Sequence, residues 1–178
     1  MRLLDLAKAQ RRKSRAIAFA AIGTAFVSAE PEPAEGPAEV LKRFGLAGTW
    51  AADCKSPATR LNFYENFFAD PQGLARRDVD RGTEIPIATS YVDAAEMVSP
   101  TTLKGRIRNA DPNWGSLDKL SYDFVLIKEN DPQTGEPIRY RFLESFVSDG
   151  RVIAKNGILL RLRKPTFWEY RCRSPATS

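Results

Sequence analysis

The chain has 178 residues, of which 27 are basic, 22 are acidic and none is histidine, so its formal net charge is +5. Without histidine, the sequence excludes Ser-His-Asp and Cys-His catalysis, His-based zinc sites and a histidine general base near neutral pH. Residues 1–29 hold six of the basic residues and one acidic residue, so the rest of the chain has 21 of each. We therefore expect no nucleic-acid partner, because binding to phosphates requires an excess of basic residues.

Residues 1–29 have the pattern of a cleavable signal peptide. A basic leader precedes an apolar run at residues 16–27, and these 12 residues are too few to cross a bilayer as a helix. Val27, Ser28 and Ala29 then fit a signal-peptidase site, so we expect cleavage after Ala29. An uncleaved N-terminal anchor is the alternative. The pattern predicts a periplasmic or secreted protein with no transmembrane segment after cleavage.

The chain after residue 29 divides into a linker and one domain. Residues 30–43 are rich in proline, glutamate and alanine and predict a flexible linker that ends in about one helical turn. Residues 44–178 predict a β domain, because apolar and polar residues alternate between Gly, Pro, Asn and Asp turns. Asn156 and Gly157 suit a two-residue hairpin, and residues 91–98 also fit a short helix. The predicted strands are residues 46–54, 61–69, 73–79, 84–92, 102–109, 119–128, 137–147, 150–155, 158–163 and 166–173.

The connections and the cysteines predict how these strands are arranged. Short connections favour an antiparallel meander, since a parallel crossover needs a dozen or more residues. Cys54 and Cys172 flank nearly all of the domain, and two cysteines in an oxidising compartment predict one disulfide. This bond would join the first strand to the last. The sequence therefore predicts an all-β fold, a single antiparallel up-and-down β-barrel of about eight strands, with a β-sandwich as the alternative.

Residues 44–50, Phe-Gly-Leu-Ala-Gly-Thr-Trp, resemble the start of the calycin barrels, which include the lipocalins and avidins. This resemblance implies that Trp50 closes one end of the barrel. It also implies that an arginine of the last strand stacks across Trp50, with Arg171 as the first counterpart and Arg173 as the second. Residues 48–54 together with the Arg-Cys ending are also similar to uncharacterised secreted proteins of Gram-negative bacteria. The two resemblances imply a location and a fold without an activity.

Alternation assigns one side of two predicted strands to the barrel interior. Aromatic side chains on that side would line a ligand cavity, and Glu144 would orient a polar group of the ligand. A structural ion pair and a catalytic acid are the other interpretations of Glu144, since a buried carboxylate must pair or be protonated. The predicted ligand-binding residues are Tyr122, Phe124, Tyr140, Phe142, Glu144 and Phe146.

Basic residues take the opposite side of several strands. Their charges are either balanced by nearby acids on a solvated face or form a patch for anionic envelope components. They include Lys104, Arg106, Arg108, Arg139, Arg141, Arg161 and Arg163.

Function is less constrained by the sequence than the fold. Asp78 and Asp80 share one side of a strand, but we interpret them as an exposed hairpin end and expect no enzyme, cofactor or metal. We expect a lipocalin-like protein that binds a small apolar or amphipathic ligand. The alternatives are a structural envelope protein with a filled barrel, and a protease inhibitor whose arm at residues 30–45 binds its target.

Overall fold

The computed structural model describes residues 35–172. These residues contain one α-helix, one 3₁₀ segment and eleven strands. The signal peptide predicted at residues 1–29 and the alternative counterpart Arg173 lie outside these residues. In chain order the elements are α1 (Pro37–Phe44), β1 (Gly48–Ala51), β2 (Tyr64–Ala69), β3 (Ala75–Asp80), β4 (Ala88–Ser99), β5 (Thr102–Asn109), the 3₁₀ segment (Pro112–Leu117), β6 (Ser121–Asn130), β7 (Pro137–Val147), β8 (Val152–Lys155), β9 (Ile158–Leu159), β10 (Lys164–Pro165) and β11 (Glu169–Cys172).

Eight of the strands close into an antiparallel barrel, as the sequence predicts. Strands β1 to β7 pair with their neighbours in chain order, and β11 pairs with both β7 and β1. The first and last strands are therefore side by side, which excludes the sandwich alternative. Strands β8, β9 and β10 lie outside this ring. They extend the sheet from the second half of β7, where β8 pairs with Ser145 and Phe146.

The predicted disulfide is confirmed. Cys54 and Cys172 are bonded, with their Cα atoms 5.3 Å apart and a separation of 118 positions along the chain. The bond lies at the seam of the barrel, where Thr49 pairs with Cys172 and Ala51 with Tyr170. In the chain-entropy model, cross-links that enclose long loops remove the most freedom from the unfolded chain. This one encloses nearly the whole barrel.

Helix α1 covers one end of the barrel. It includes the helical turn expected at the end of the linker and begins earlier, at Pro37; residues 30–34 of the predicted linker lie outside the described residues. The helix begins at Pro37 and buries Val40, Leu41 and Phe44, which share one face because of their helical spacing. The prolines and glutamates before residue 40 led to the expectation of only about one turn. Within the arm considered at residues 30–45, Pro37–Phe44 is helical and packs against the barrel, while residues 30–34 lie outside the described residues.

The same end is fixed by backbone and side-chain caps. Gly45 adopts a left-handed conformation after α1, and the Leu46 N–H donates to the Leu41 carbonyl 2.9 Å away, as in a Schellman motif. The Lys128 ammonium reaches from β6 to the Phe44 carbonyl and lies 4.2 Å from the centre of its ring. A cation at a helix C-terminus is favourable because the unpaired carbonyls there carry partial negative charge.

Trp50 occupies the interior just beyond this cap. Its side chain is fully buried, and its Nε1 donates to the Leu46 carbonyl 2.7 Å away. Arg171 pairs with Trp50 across the seam, and its guanidinium carbon lies 5.7 Å from the centre of the Trp50 ring. The Arg171 Nη2 also donates to the Ala47 carbonyl. Trp50 and Arg171 therefore meet at the capped end of the barrel.

Two local predictions have opposite outcomes. Asn156 and Gly157 both have positive φ and connect β8 to β9, as predicted for a two-residue hairpin. The short helix at residues 91–98 is wrong, because β4 continues to Ser99 with a register shift after Val92. Gly105 of β5 lies opposite this irregular part. A Cβ there would be 2.4 Å from the Ala94 carbonyl oxygen, so only glycine permits the close approach.

Candidate functional site

A β-bulge in β7 decides which residues face the interior. In the pairing of β7 with β6, Val125 lies opposite Glu144, but the next residue, Leu126, lies opposite Phe142. Leu143 has no partner on β6 and is the extra residue of the bulge. An extra residue reverses the side-chain alternation of the strand beyond it. Tyr140 and Phe142 face inward before the bulge, and the buried residues after it are Ser145 and Val147.

The bulge corrects the prediction for Glu144 and Phe146. Both residues line a groove on the outer surface of the barrel, beside Lys104 and Arg106. Phe146 is among the exposed large hydrophobic residues. Neither side chain faces the interior, so the role of an internal carboxylate cannot belong to Glu144.

The other four predicted residues do face inward, but at two different depths. Phe124 and Tyr140 are in the packed core, where Tyr140 makes edge-to-face contacts with Trp50 and Phe67 at 5.1 and 6.2 Å between ring centres. Tyr122 and Phe142 lie closer to the uncovered end and line a cavity. The sequence prediction therefore combined core residues with cavity residues.

The cavity occupies the end of the barrel opposite α1 and has a volume of about 270 Å³. Its walls are mostly apolar and come from the 3₁₀ segment, from β8 and β9, and from the segments that precede β2 and β11. Polar groups are gathered at its floor. The apolar walls include Phe63, Trp114, Leu117, Phe142, Val147, Ile153, Ala154, Leu159 and Phe167; the polar lining residues are Glu65, Arg77, Asn109, Tyr122, Ser145, Thr166 and Glu169.

A buried ion pair forms the first part of this polar floor. Glu65 of β2 and Arg77 of β3 are both almost inaccessible to solvent, and two guanidinium nitrogens of Arg77 donate to the two carboxylate oxygens of Glu65. The third nitrogen, Nη1, donates to the Tyr122 hydroxyl oxygen 2.7 Å away. All three guanidinium nitrogens of Arg77 are therefore already engaged within the protein.

A tyrosine joins this pair to a second buried carboxyl group. The Tyr140 hydroxyl oxygen lies 2.7 Å from Oε2 of Glu65 and 2.7 Å from Oε2 of Glu169. A hydroxyl has one proton to donate, so it satisfies only one carboxylate. Because Glu65 is the partner of Arg77, we assign the Tyr140 proton to Glu65 and a carboxyl proton to Glu169. Glu169 then donates to Tyr140, and the whole cluster is neutral.

Burial and charge shift the titration of these groups in a consistent direction. Burial, and then the negative charge of Glu65, raises the pKa of Glu169 well above its ordinary value. Burial is also the first cause that raises the pKa of Tyr122, to about 12, and that of Tyr140, to well above its ordinary value. Burial is the largest single influence on Arg77 and lowers its pKa, but the charge of Glu65, its hydrogen bond and the nearby Tyr122 and Tyr140 together raise the pKa above its ordinary value.

Two polar atoms of the cluster remain available to a molecule in the cavity. Oε1 of Glu169 accepts no hydrogen bond from any described residue, and in the protonated group it is the carbonyl oxygen. The Tyr122 hydroxyl accepts from Arg77, and no described residue accepts its proton. Apart from the remaining N–H groups of Arg77, whose charge Glu65 balances, the floor therefore offers one acceptor and one donor.

On the outer surface of the barrel, charged side chains form exposed ion pairs, unlike the buried cluster below the cavity. The alternating basic residues of β5 pair with acids on neighbouring strands, as the interpretation of a solvated, balanced face predicts. These pairs are Lys104 with Glu96, Arg106 with Asp123 and Arg108 with Asp93, at 2.9, 2.7 and 2.9 Å. Asp78, one of the two acids considered for catalysis, is similarly bonded to Arg76 of its own strand at 2.8 Å.

Sequence reasoning missed Glu65, Arg77 and Glu169. A signal was present, because Arg77 alternates with Ala75 and Val79 and therefore belongs to the inward side of β3. Glu65 likewise shares a side with Phe67. Opposite charges at inward positions of two neighbouring strands indicate a buried ion pair. We did not infer this pair because we interpreted residues 76–81 as an exposed hairpin end.

Comparison of the chain with protein-family models, curated proteins and solved structures finds no match. Within residues 35–172, no helix is long and apolar enough to span a membrane. The same residues contain no group of three or more cysteine, aspartate and glutamate side chains placed to hold a metal ion. The geometry of the cavity is therefore the basis for a functional proposal.

Proposed function

We propose that the protein binds a small amphipathic molecule in the cavity at the open end of its barrel. The observation that carries this proposal is a cavity of about 270 Å³ with apolar walls and a polar floor. Binding sites for small molecules combine mainly apolar walls with a few placed polar groups. A structural protein with a filled barrel is less well supported, because it would not need this space.

The chemistry of the floor narrows the class of ligand to apolar molecules that end in a hydroxyl or an amino group. A hydroxyl can donate to Oε1 of Glu169 and accept from Tyr122, whereas an ammonium can donate to Glu169 and pair with its ionised form. A carboxylate is unfavourable, because Glu65 already balances the charge of Arg77 and a second buried carboxylate would have no counter-charge.

We also propose an exported location, in the periplasm or outside the cell. The Cys54–Cys172 disulfide supports it, because such bonds persist mainly in oxidising compartments. The pattern of residues 1–29 supports it independently. Intact-mass analysis of a periplasmic fraction should find a chain that begins at Glu30, and an uncleaved chain in the membrane fraction would contradict the proposal.

Binding is tested with three ligands that share one alkyl chain: 1-octanol, octylamine and octanoate. We expect the alcohol and the amine to displace a fluorescent apolar probe, and octanoate to do so at least tenfold more weakly. A tenfold difference corresponds to about 1.4 kcal/mol, which is within the cost of one unsatisfied buried polar group. Equal displacement by all three would reject the proposed polar recognition.

A cavity-filling substitution tests where the probe binds. Ala154 is buried and lines the cavity, so Ala154→Phe should abolish probe binding. Ala110 is exposed beyond β5, and Ala110→Phe adds the same side chain outside the cavity. This control should bind the probe as the unchanged protein does. Loss of binding in both variants, or in neither, would place the site elsewhere.

Glu169→Gln separates the two ligand classes. The glutamine keeps a carbonyl oxygen for the ligand and an N–H for Tyr140, but it cannot ionise. Octanol binding should therefore be retained, while octylamine should bind about 10- to 100-fold more weakly, the range for hydrogen bonds to charged groups. Glu144→Gln is the matched control, because it removes a carboxyl group from the outer groove. An equal loss of octylamine binding in both variants would exclude Glu169 as the recognition group.

A further inference from the structure

Beside the cavity, residues 151–168 form a segment with an unusual balance of charge. It includes β8, β9 and β10 and contains five basic residues and no acidic residue. We call this segment the rim, because Ile153, Ala154, Leu159, Thr166 and Phe167 belong both to it and to the lining of the cavity.

The rim also concentrates exposed apolar side chains. Six of the thirteen large hydrophobic residues that are exposed among the described residues fall within it. Residues 160–163, Leu-Arg-Leu-Arg, connect β9 to β10, and Leu162 is 57 % exposed there. Contiguous exposed apolar surface beside a binding site marks an interaction surface. The six residues are Val152, Ile153, Ile158, Leu160, Leu162 and Phe167.

The positive charges of the rim differ from those of the barrel wall. On the wall, Lys104, Arg106 and Arg108 are all paired with acids. In the rim only Arg151 has such a partner, Asp149, at 2.6 Å. The remaining basic residues form no ion pair with any residue of the described range. They are Lys155, Arg161, Arg163 and Lys164.

We infer that the rim docks on the surface of an anionic phospholipid bilayer. Exposed leucines beside unpaired arginines match the boundary between acyl chains and charged headgroups, where apolar side chains insert and cations pair with phosphates. A second copy of the chain fits less well, because two identical rims would bring like charges together. Docking would direct the open end of the cavity toward the bilayer.

Sedimentation with lipid vesicles tests this inference on the purified protein. We expect binding to vesicles of phosphatidylcholine mixed in equal amounts with phosphatidylglycerol, weak binding to phosphatidylcholine alone, and release at high salt. Equal binding to the two vesicle types, or no binding to the anionic ones, would overturn the inference. Val147 also lines the cavity and is buried, but it lies outside the rim, so Val147→Phe should fill the cavity and leave vesicle binding unchanged; loss of cavity binding and loss of docking are then separately visible.

Paired substitutions test the two components of the surface. The variant with both Arg161→Gln and Arg163→Gln should bind anionic vesicles about 25-fold more weakly, at about fivefold per cation. Its control is the pair Lys104→Gln and Arg106→Gln, which removes the same charge from the barrel wall and should lose much less. If the two double variants lost vesicle binding equally, net charge alone would explain the binding, and a defined docking surface would be rejected.

The apolar component has its own matched pair. Leu160→Ser with Leu162→Ser should weaken vesicle binding by about tenfold or more per leucine, because each loses apolar burial in the bilayer. Leu74→Ser with Val98→Ser removes two exposed apolar side chains outside the rim and should change nothing. If the rim leucines instead control dimerisation measured by gel filtration, with vesicle binding unchanged, a second copy occupies the surface and the inference is wrong.

Discussion

At one end of the barrel, α1 places Val40, Leu41 and Phe44 over a core that reaches Trp50, whereas at the other end β8, β9 and the 3₁₀ segment line a cavity. The buried cluster of Glu65, Arg77, Tyr122, Tyr140 and Glu169 lies between the two. The same eight strands therefore support a filled half and an unfilled half. This division suggests that the covered end supplies stability and that the open end is available for binding.

The largest expected effect distinguishes the tryptophans of the two ends. Trp50 is fully buried, so Trp50→Ala should reduce the free energy of unfolding by about 3–5 kcal/mol through lost burial and a new void. Trp114 is half-buried beside the cavity, so Trp114→Ala should cost less than half as much. Urea denaturation of both variants provides the measurement. Equal small losses would mean that the covered end does not carry the stability.

The ion pair below the cavity should respond almost as strongly. Glu65→Gln removes the carboxylate from Arg77, which is then a buried cation without its partner, at an expected cost of about 3–5 kcal/mol. Glu129→Gln breaks the exposed pair with Arg139 and should cost no more than about 1 kcal/mol. Thermal and urea unfolding of the two variants measure the difference. A small loss at Glu65 would show that the cluster tolerates an uncompensated charge.

The disulfide at the seam should have an intermediate effect that is independent of either end. Replacing Cys54 and Cys172 together by serine should lower the free energy of unfolding by about 2–4 kcal/mol, the usual range for a native cross-link. Probe binding in the cavity should survive at temperatures where the variant is folded. Loss of the cavity in a folded double variant would show that the bond also shapes the open end.

The covered end and the closure of the barrel were largely predictable from the sequence. Turn chemistry, period-two alternation and the position of Cys54 and Cys172 near the domain ends are local signals, and the strands at residues 102–109 and 137–147 match β5 and β7. Helix α1 was predicted only as about one turn, because its first residues belong to a proline- and glutamate-rich segment.

The open end was less predictable for a different physical reason. The bulge at Leu143 has no glycine or proline to mark it, and a single extra residue moves Glu144 and Phe146 from the inside to the outside. The cluster also depends on contacts between strands far apart in the chain, such as Glu65 with Tyr140. Local alternation identifies an inward position, but it does not show which inward charges meet.

Over any single pH unit, the smallest change concerns the proton assigned to Glu169. The pKa of this carboxyl is raised well above its ordinary value of 4.5 by burial and by Glu65, so the folded protein retains a proton that the unfolded chain releases. The contribution of this proton to the free energy of unfolding is fully present below pH 4.5, the ordinary pKa of this carboxyl in the unfolded chain. It decreases as the pH rises, by up to about 1.4 kcal/mol per pH unit, until the carboxyl of the folded protein ionises.

Glu169→Gln isolates this contribution, because glutamine carries no titrating proton while it keeps an N–H for Tyr140. The free energy of unfolding of the variant, relative to the unchanged protein, should therefore increase as the pH rises from 4.5 toward neutrality. Urea denaturation at a series of pH values measures the difference, and groups common to both proteins cancel. Parallel profiles would mean that Glu169 titrates alike in the folded and unfolded states. A relative stability that falls with pH would mean that Glu169 is ionised when folded, and the neutral floor on which the preference for hydroxyl and amino ligands depends would then be wrong.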